Sequence, residues 1–279
     1  MQHITSRDRL DEALFCALYR QSVDEVFRFW TPAMQEEVAR HCYPWRQGAT
    51  DFREYLLASE PRYLIAYKSL HEAGGFNSLC DVGGFFGAFA LTLARMGHEV
   101  AMTEALEYYS HSFVPLFHFL GDSGIRIIDY DPFGAAPSFR DEFDVVTVMA
   151  VLEHYPHSLR GFMGNVLQML RSDGRIYIEV PNIAYWPKRK AMLMGKTPLV
   201  PVADIYRSSV PFIGHHHEFT FEELQDLATL SGLKVIKANQ YNYSFRGPVV
   251  NRLVSDPLLF LMSLIPSMRE CLAILAGRP

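Results

Sequence analysis

Residues 79–90 read LCDVGGFFGAFA, a short apolar run that ends in an acidic residue and passes through a glycine-rich turn into a helical pattern. Such a turn lets the backbone approach a ligand closely and points the amide groups of the following helix at it. Any tight connection between a strand and a helix that needs positive φ angles also favours glycine. Asp81, Gly83, Gly84 and Gly87 are therefore candidate ligand-binding residues.

Two features of this turn indicate which nucleoside ligand it suits. A dinucleotide fingerprint needs glycine two residues after Gly83, but Phe85 stands there, so a pyrophosphate would meet a side chain. The carboxylate of Asp81 would repel a phosphate, whereas it can pair with a cationic group. Glu104 ends the next apolar run, where an acidic residue can bind ribose hydroxyls, although glutamate at a strand end is also common on plain surfaces.

Strand and helix patterns alternate from residue 78 onward. Apolar runs predict strands at 78–82, 99–103, 125–129, 143–149, 175–180, 234–238 and 271–276. Helical periodicity predicts helices at 63–73, 88–96, 108–120, 159–170 and 220–230, the last beginning with a T-x-x-E capping box at Thr220 and Glu223. Alternation of this kind indicates a parallel sheet covered by helices.

The chain resembles the class I S-adenosylmethionine-dependent methyltransferases. The resemblance is carried by residues 81–87 (DVGGFFG), Glu104, 143–154 (FDVVTVMAVLEH) and 170–176 (LRSDGRI), in the order that the family shows. It covers residues 63–240 and the final strand. It implies an α/β fold, Rossmann-like and doubly wound, with a mostly parallel seven-stranded sheet. Phe85 departs from the glycine usual in the middle of the family's turn, and residues 132–142 are short for a crossover helix.

The resemblance also implies S-adenosylmethionine as the cofactor and gives roles to the residues around the turn. Gly83, Gly84 and Gly87 would allow the methionine portion to approach the backbone. Asp81 would lie near its ammonium group, and Glu104 would bind the ribose hydroxyls.

The adenine end of the implied cofactor site depends on where the third strand ends. Asp131 would face the adenine amino group, with Asp129 as the alternative because a predicted strand end is uncertain by about two residues. Phe133 would stack on the adenine or belong to the core. The backbone at Met149 and Ala150 would line the pocket.

Histidines are candidate bases for removing a proton from a hydroxyl acceptor. His154 follows the fourth strand on the ligand side, and His216 and His217 lie in residues 214–220 (GHHHEFT). A similar segment occurs in methyltransferases associated with bacterial glycan and natural-product pathways, and each histidine can equally be structural. In an extended segment only His215 and His217 would share a face, and no further ligand cluster is visible, so no metal site is predicted.

Composition narrows the class of protein. The 279 residues are 49% apolar and 20% charged, as in a soluble globular protein, and the net charge of -5 gives no basic field for nucleic acid. Four cysteines without a C-x-x-C pair and no apolar signal segment predict a cytoplasmic protein with free thiols. Residues 257–268 are too short to span a membrane and are expected to form a buried helix.

Residues 1–74 are predicted to form an N-terminal helical cap and residues 75–279 the methyltransferase domain. The insert 182–214 is expected to be an acceptor lid, and its YWPKRK segment at 185–190 would either contact a phosphorylated acceptor or form a solvated face. The predicted function is O-methylation of a small-molecule or carbohydrate-like acceptor in small-molecule biosynthesis. The alternatives are an NAD-dependent oxidoreductase or epimerase and a non-catalytic cofactor-binding protein.

Overall fold

The computed structural model describes residues 10–41, 51–131, 134, 136–208, 212 and 214–279. The strands in this part of the chain are β1 (Ser78–Val82), β2 (Glu99–Glu104), β3 (Ile125–Asp129), β4 (Phe143–Met149), β5 (Leu170–Pro181), β6 (Lys234–Tyr241) and β7 (Cys271–Gly277). They form one seven-stranded sheet in the order β3-β2-β1-β4-β5-β7-β6.

The sheet is parallel except for β7, which runs antiparallel to both β5 and β6. The strand order reverses between β1 and β4, and in such sheets ligands bind in the crevice beyond the carboxyl ends of the strands at this switch point. The predicted Rossmann-like fold is confirmed, and β3 and β4 have the predicted bounds.

Helices cover both faces of the sheet. The α-helices in the described part of the chain are α1 (Glu12–Val26), α2 (Pro32–His41), α3 (Phe52–Glu72), α4 (Ala88–Arg95), α5 (Val114–Asp122), α6 (Leu159–Gln168), α7 (Trp186–Leu193), α8 (Val202–Arg207), α9 (Phe221–Leu230), α10 (Val249–Ser255) and α11 (Pro257–Met262). The predicted capping box of α9 is confirmed, because Thr220 accepts a bond from the Glu223 amide and Glu223 accepts one from the Thr220 amide.

The helix predicted for residues 63–73 begins eleven residues earlier, and α3 runs through Pro61 without ending. A proline inside a helix removes one backbone hydrogen bond and normally kinks or ends it. Here tertiary contacts hold both sides of the proline: the Tyr19 hydroxyl donates to the Leu56 carbonyl at 2.8 Å, and Arg62 pairs with Glu179 of β5. The prediction that this helix begins at residue 63 is therefore wrong.

The expected buried helix at 257–268 is also wrong. The α-helix α11 has only six residues, and a short 3-10 turn follows at Pro266–Met268. Leu259 is buried, but Leu258, Leu261 and Leu264 are exposed. Among the described residues no helix is both long and apolar enough to cross a membrane.

The N-terminal helices and one face of the sheet share a hydrophobic core. Phe15 of α1 stacks on Tyr67 of α3, with ring centroids 4.9 Å apart, and meets Phe89 of α4 edge-on. The opposite face of the sheet is covered by α6 and α9, through buried residues that include Phe162 and Leu224. This packing brings α3 close to the crevice, where it contributes Arg62.

Candidate active site

The turn after β1 adopts the left-handed backbone that its glycines permit. Gly83 has φ +66° and Gly87 has φ +72°, and the Gly83 amide donates to the Thr103 carbonyl of β2 at 3.0 Å. A Cβ on Gly83 would lie 3.0 Å from Val151, and one on Gly87 would lie 2.7 Å from Leu120. Gly83 is exposed, so its backbone is open to a ligand, whereas Gly87 is required for packing.

Phe85 also has positive φ, +54°, at the position where the resemblance leads one to expect glycine. Its ring lies against Phe86, with centroids 3.8 Å apart, and meets Phe52 of α3 edge-on. Its amide donates to Glu104 Oε1 at 2.5 Å. The aromatic contacts stabilise a strained backbone and leave the amide to position the acidic residue of β2.

Two buried carboxyl groups end β1 and β2 beside this turn. Burial raises the pKa of Asp81 to about 7, although its Oδ1 accepts a 2.6 Å hydrogen bond from the Thr147 hydroxyl. Burial likewise raises the pKa of Glu104 to about 8, against the effect of a 2.8 Å bond from the Tyr109 hydroxyl. Desolvation dominates both pKa values because, among the described residues, neither carboxylate forms a close ion pair.

The end of β3 separates the two candidate adenine contacts. The strand ends at Asp129, whose Oδ1 accepts a bond from the Leu106 amide at 3.0 Å, so this carboxylate holds the loop after β2. Asp131 is half-buried two residues beyond the strand end. The predicted role of Phe133 lies outside the described residues.

The loop after β4 begins with a strained residue. Ala150 has φ +56°, and its amide donates to the Glu179 carbonyl of β5 at 2.9 Å. A 3-10 turn follows at Leu152–His154, where burial raises the pKa of Glu153 to about 8. Glu153 Oε2 has no hydrogen-bond partner among the described residues.

The structure brings one of the three candidate bases into this loop cluster and leaves two outside it. The half-buried His154 ring lies 4.9 Å from the ring of His215. The side chains of His216 and His217 are exposed: His216 Nε2 donates to the Phe212 carbonyl at 3.0 Å, and the His217 ring packs on Phe219.

His215 and His217 do not share a face, contrary to the expectation for an extended segment. The chain bends at His216, whose amide donates to the Glu153 carbonyl at 2.7 Å. His215 therefore points at Glu218, with Nδ1 2.8 Å from Oε1, while His217 points at Glu223. Glu218 is also paired with Lys188 of α7, which links the insert to the histidine loop.

Sequence reasoning missed a buried ion pair at the same sheet edge. Arg62 of α3 bonds to Glu179 of β5, and the two side chains are only 5% and 1% exposed. The Arg62 guanidinium lies over the Tyr243 ring, 5.2 Å from the ring centroid. Its Nη1 donates to the Tyr55 hydroxyl at 3.3 Å. The signal available in the sequence was Glu179 itself, a charged residue inside the otherwise apolar run IYIEV.

A separate groove of about 530 Å³ lies at the opposite end of the sheet. Its lining includes Asn77 before β1, Asp144 at the start of β4, and Arg175. The amino ends of parallel strands meet there, whereas ligands bind in such folds at the carboxyl ends. The groove is therefore distinct from the site around Gly83.

Comparisons with known proteins agree on one class. A family model described as a methyltransferase domain matches residues 27–238. The chain is similar in structure to a 1,6-didemethyltoxoflavin-N1-methyltransferase from Burkholderia thailandensis, solved with 1,6-didemethyltoxoflavin and S-adenosylhomocysteine, at 16% identity and TM-score 0.51, over 97% of this chain and 91% of that chain.

A second similar structure is an S-adenosylmethionine-dependent methyltransferase from Mesorhizobium loti, at 16% identity and TM-score 0.55, over 79% of this chain and 98% of that chain. No curated protein matches the chain in sequence. At such identities the structural likeness concerns the fold, whereas the family match covers most of the chain.

Proposed function

Since this chain belongs to the family of methyltransferase domains, we propose that it transfers the methyl group of S-adenosylmethionine to an oxygen atom of a small or carbohydrate-like acceptor. Family and fold together make it a class I S-adenosylmethionine-dependent enzyme. The residue roles and the acceptor chemistry that follow are the proposal.

The main support for the proposed cofactor site is the pair of buried carboxyl groups beside the exposed backbone of Gly83. Asp81 and Glu104 are 3% and 7% exposed, and burial raises both pKa values. A ligand with positive charge and hydroxyl donors would compensate this desolvation. S-adenosylmethionine carries an ammonium group, a sulfonium and ribose hydroxyls, so the residues present fit it.

The proposed contacts follow the order of the strands. Asp81 binds the ammonium group directly or through water, and the backbone of Gly83 and Gly84 lies along the methionine portion. Glu104 accepts hydrogen bonds from the ribose hydroxyls while the Phe85 amide holds its carboxylate in place.

The adenine end is assigned to the loop after β3 and to β4. Asp131 is proposed to accept from the adenine amino group, because it lies beyond the carboxyl end of β3, whereas the carboxylate of Asp129 holds the loop after β2. The strained backbone at Ala150 lines the other side of the pocket.

The histidines near the crevice support methyl transfer to oxygen, because a hydroxyl acceptor needs a group that takes its proton. His154 is half-buried next to the crevice, and His216 and His217 are exposed on the loop whose His216 amide donates to the Glu153 carbonyl. When bound, S-adenosylmethionine supplies the methyl carbon: the acceptor oxygen forms the new O–C bond, the C–S bond breaks, and its electron pair stays on sulfur. The protein aligns the acceptor with that carbon, excludes water and receives the hydroxyl proton.

The insert 182–214 is proposed to select the acceptor, as a lid, and residues 1–74 to act as a helical cap. Lys188 of α7 is bound to Glu218, so one end of the insert is anchored beside the histidines. A cytoplasmic location and a role in small-molecule biosynthesis stay predictions.

The cofactor site is tested with Glu104→Ala, which removes the carboxylate while Glu107→Ala removes an exposed one three residues away. Titration calorimetry with S-adenosylhomocysteine should show an affinity loss of at least about tenfold for Glu104→Ala, since hydrogen bonds to a charged group contribute about 1.5–3 kcal/mol each. Glu107→Ala should bind as wild type. Equal affinity in both variants would reject the assignment of Glu104.

The acceptor atom is tested by measuring S-adenosylhomocysteine release with matched hydroxyl and amine compounds, including sugars and phenols, followed by NMR of the product. A methyl signal on oxygen is the expected result. A product methylated only on nitrogen would reject the O-methylation proposal and would match the reaction named for the Burkholderia protein.

A further inference from the structure

Three side chains with metal-binding atoms meet beside the proposed cofactor site. Glu153, His154 and His215 each offer one ligand atom, and these atoms lie within 4.8 Å of one another. Glu153 and His154 are neighbours in one 3-10 turn, while His215 arrives from the loop before α9. The bond from the His216 amide to the Glu153 carbonyl holds that loop against the turn, so the three donors are brought together by the backbone.

One oxygen of the carboxylate in this group has no hydrogen-bond partner in the described part of the chain. Glu153 is 1% exposed, and its Oε2 accepts no hydrogen bond from the described residues. Arg62 and Lys188 do not pair with Glu153, because Arg62 bonds to Glu179 and Lys188 to Glu218. A buried carboxylate is stable in its charged form when it is paired or binds a metal ion, so a cation can take the place of the proton on this group.

The tautomer of His215 is set by its neighbour. Its Nδ1 lies 2.8 Å from Glu218 Oε1, which leaves the Nε2 lone pair for a cation. Glu218 is buried and is itself held by Lys188. A carboxylate that orients a histidine through the far ring nitrogen is the usual support of a metal-binding imidazole. The insert thus reaches the three donors through Lys188 and Glu218.

The donor set determines the class of ion. Two imidazoles and one carboxylate suit Zn²⁺, Mn²⁺ or Fe²⁺, whereas Mg²⁺ and Ca²⁺ prefer sites made of oxygen atoms. With bonds of about 2.1 Å, neighbouring donors lie about 3.0–3.4 Å apart, so side-chain rotation would bring the present donors together by about 1–2 Å. Three protein ligands leave at least one position open for a substrate oxygen.

The site is adjacent to the proposed methyl-transfer space. Its 3-10 turn starts directly after Val151, and a Cβ on Gly83 would lie 3.0 Å from the Val151 side chain. An ion held there would therefore sit on the loop next to the glycine turn. The expectation of no metal rested on the lack of further ligands near residues 215–217, and the fold supplies two of them from the loop after β4.

We propose that Glu153, His154 and His215 bind a divalent transition-metal ion that takes the acceptor hydroxyl at its open position; this role rests on the proposed O-methylation. As a Lewis acid, the ion lowers the pKa of the hydroxyl, and its proton leaves to solvent or to an exposed histidine. The oxygen then forms the bond to the methyl carbon as the C–S bond breaks. His154 acts as a metal ligand in this scheme and not as the base.

Metal binding is tested on the full chain without cofactor, so that its result is independent of methyl transfer. Zn²⁺ is titrated calorimetrically into chelator-treated protein, and Co²⁺ is added separately to record its visible absorption. Glu153→Gln keeps the shape of the buried side chain, His215→Ala removes a half-buried ligand, and His157→Ala removes an exposed histidine near His154 as the control. Circular dichroism checks that each variant is folded.

The expected result is one Zn²⁺ per chain, with affinity lowered at least about tenfold in Glu153→Gln and His215→Ala and unchanged in His157→Ala. Co²⁺ should give an absorption band that the first two variants lose. No saturable binding, or equal binding in folded His215→Ala and His157→Ala, would overturn the site.

Methyl transfer before and after chelation separates this inference from the proposed function. Loss of transfer to a hydroxyl on chelation, restored by Zn²⁺ or Mn²⁺, supports both. Transfer that is unchanged in metal-free protein overturns the role of the metal and leaves O-methylation standing. One bound ion with methylation confined to nitrogen overturns O-methylation while the metal site stands.

Discussion

The two halves of the crevice are built from contacts of very different range. On the β1–β2 side, Asp81, the glycine turn and Glu104 lie within one short stretch, and the Phe85 amide reaches a carboxylate 19 residues away. On the β4–β5 side, Arg62 bonds to a partner 117 residues away. A local motif therefore specifies the β1–β2 side, proposed as the cofactor half. The β4–β5 side, proposed as the acceptor half, depends on the packing of α3, the histidine loop and the insert against the sheet.

Arg62→Met should produce the largest effect, because it leaves Glu179 buried without its partner. Breaking a buried pair from one side costs about 3–5 kcal/mol. The double variant Arg62→Met/Glu179→Met should recover most of this loss. Urea denaturation measures the unfolding free energy. The control is Arg53→Met, which breaks an exposed pair to Asp24 and is expected to stay within about 1 kcal/mol of wild type. A small loss in Arg62→Met alone would show that the acceptor half does not depend on this long-range pair.

Gly87→Ala probes the local half. The added Cβ would meet Leu120 and would hold positive φ, so strain and crowding together should cost about 2–4 kcal/mol of unfolding free energy. Gly124→Ala is the matched control, because Gly124 has φ +88° with nothing within 4 Å of the added atom. The control should lose only about 1–2 kcal/mol, from backbone strain. Equal losses in the two variants would mean that Leu120 moves aside and that the turn is not sterically determined.

The pKa values of Asp81 and Glu104 predict opposite effects of pH on stability and binding. Burial raises these values to about 7 and about 8, well above the unfolded values of about 4. Between about pH 4 and pH 8 the folded state thus holds protons that the unfolded chain has lost, so stability without ligand should fall as pH rises through this window.

Affinity for S-adenosylhomocysteine should rise over the same interval, because the carboxylates must ionise to bind the ammonium and ribose groups. We expect affinity to rise up to about tenfold per pH unit for each carboxylate between pH 5.5 and pH 7, with proton release on binding seen by calorimetry in buffers of different ionisation enthalpy. The hydrogen bond from Thr147 and the charge of Arg62 partly offset the rise in the pKa of Asp81. The hydrogen bond from Tyr109 does the same for the pKa of Glu104. Glu104→Gln should release fewer protons; unchanged release would remove Glu104 from the linkage.

Tyr206→Ala should give the smallest change in stability, and it tests only the proposed role of the insert. The side chain is 88% exposed on α8, so stability should change by less than about 0.5 kcal/mol. If the insert is the acceptor lid, KM for the acceptor should rise a few fold while KM for S-adenosylmethionine stays constant. Leu230→Ala on α9, also exposed, is the control. An unchanged KM for the acceptor would argue against a lid role for α8.

The sequence predicted best those elements that are specified over a few neighbouring residues. Short apolar runs gave the bounds of β3 and β4, and the capping box located the start of α9. Prediction from the sequence was wrong where distant parts of the chain meet. A helix was predicted only from residue 63 onward, but the contacts of Leu56 and Arg62 with other elements keep α3 continuous from Phe52 across Pro61.

Sequence spacing was least informative about the histidines. Their neighbours depend on backbone hydrogen bonds to the Glu153 carbonyl, the shorter of them from the His216 amide, that no periodicity encodes. These bonds turn His215 toward His154 and leave His217 on the surface. The prediction of a buried helix at residues 257–268 was wrong for a related reason. Their apolar composition indicated burial, but the fold places most of these side chains outside the core.

The amino-acid sequence alone specifies the sheet, the glycine turn and the acidic ends of β1 and β2, because backbone sterics and short-range periodicity act within a few residues. The acceptor half could not be derived in this way. Arg62, Glu179, Glu153 and His215 come from four separate segments, and their ionic and metal-binding chemistry exists only after hydrophobic packing has brought those segments together at one edge of the sheet.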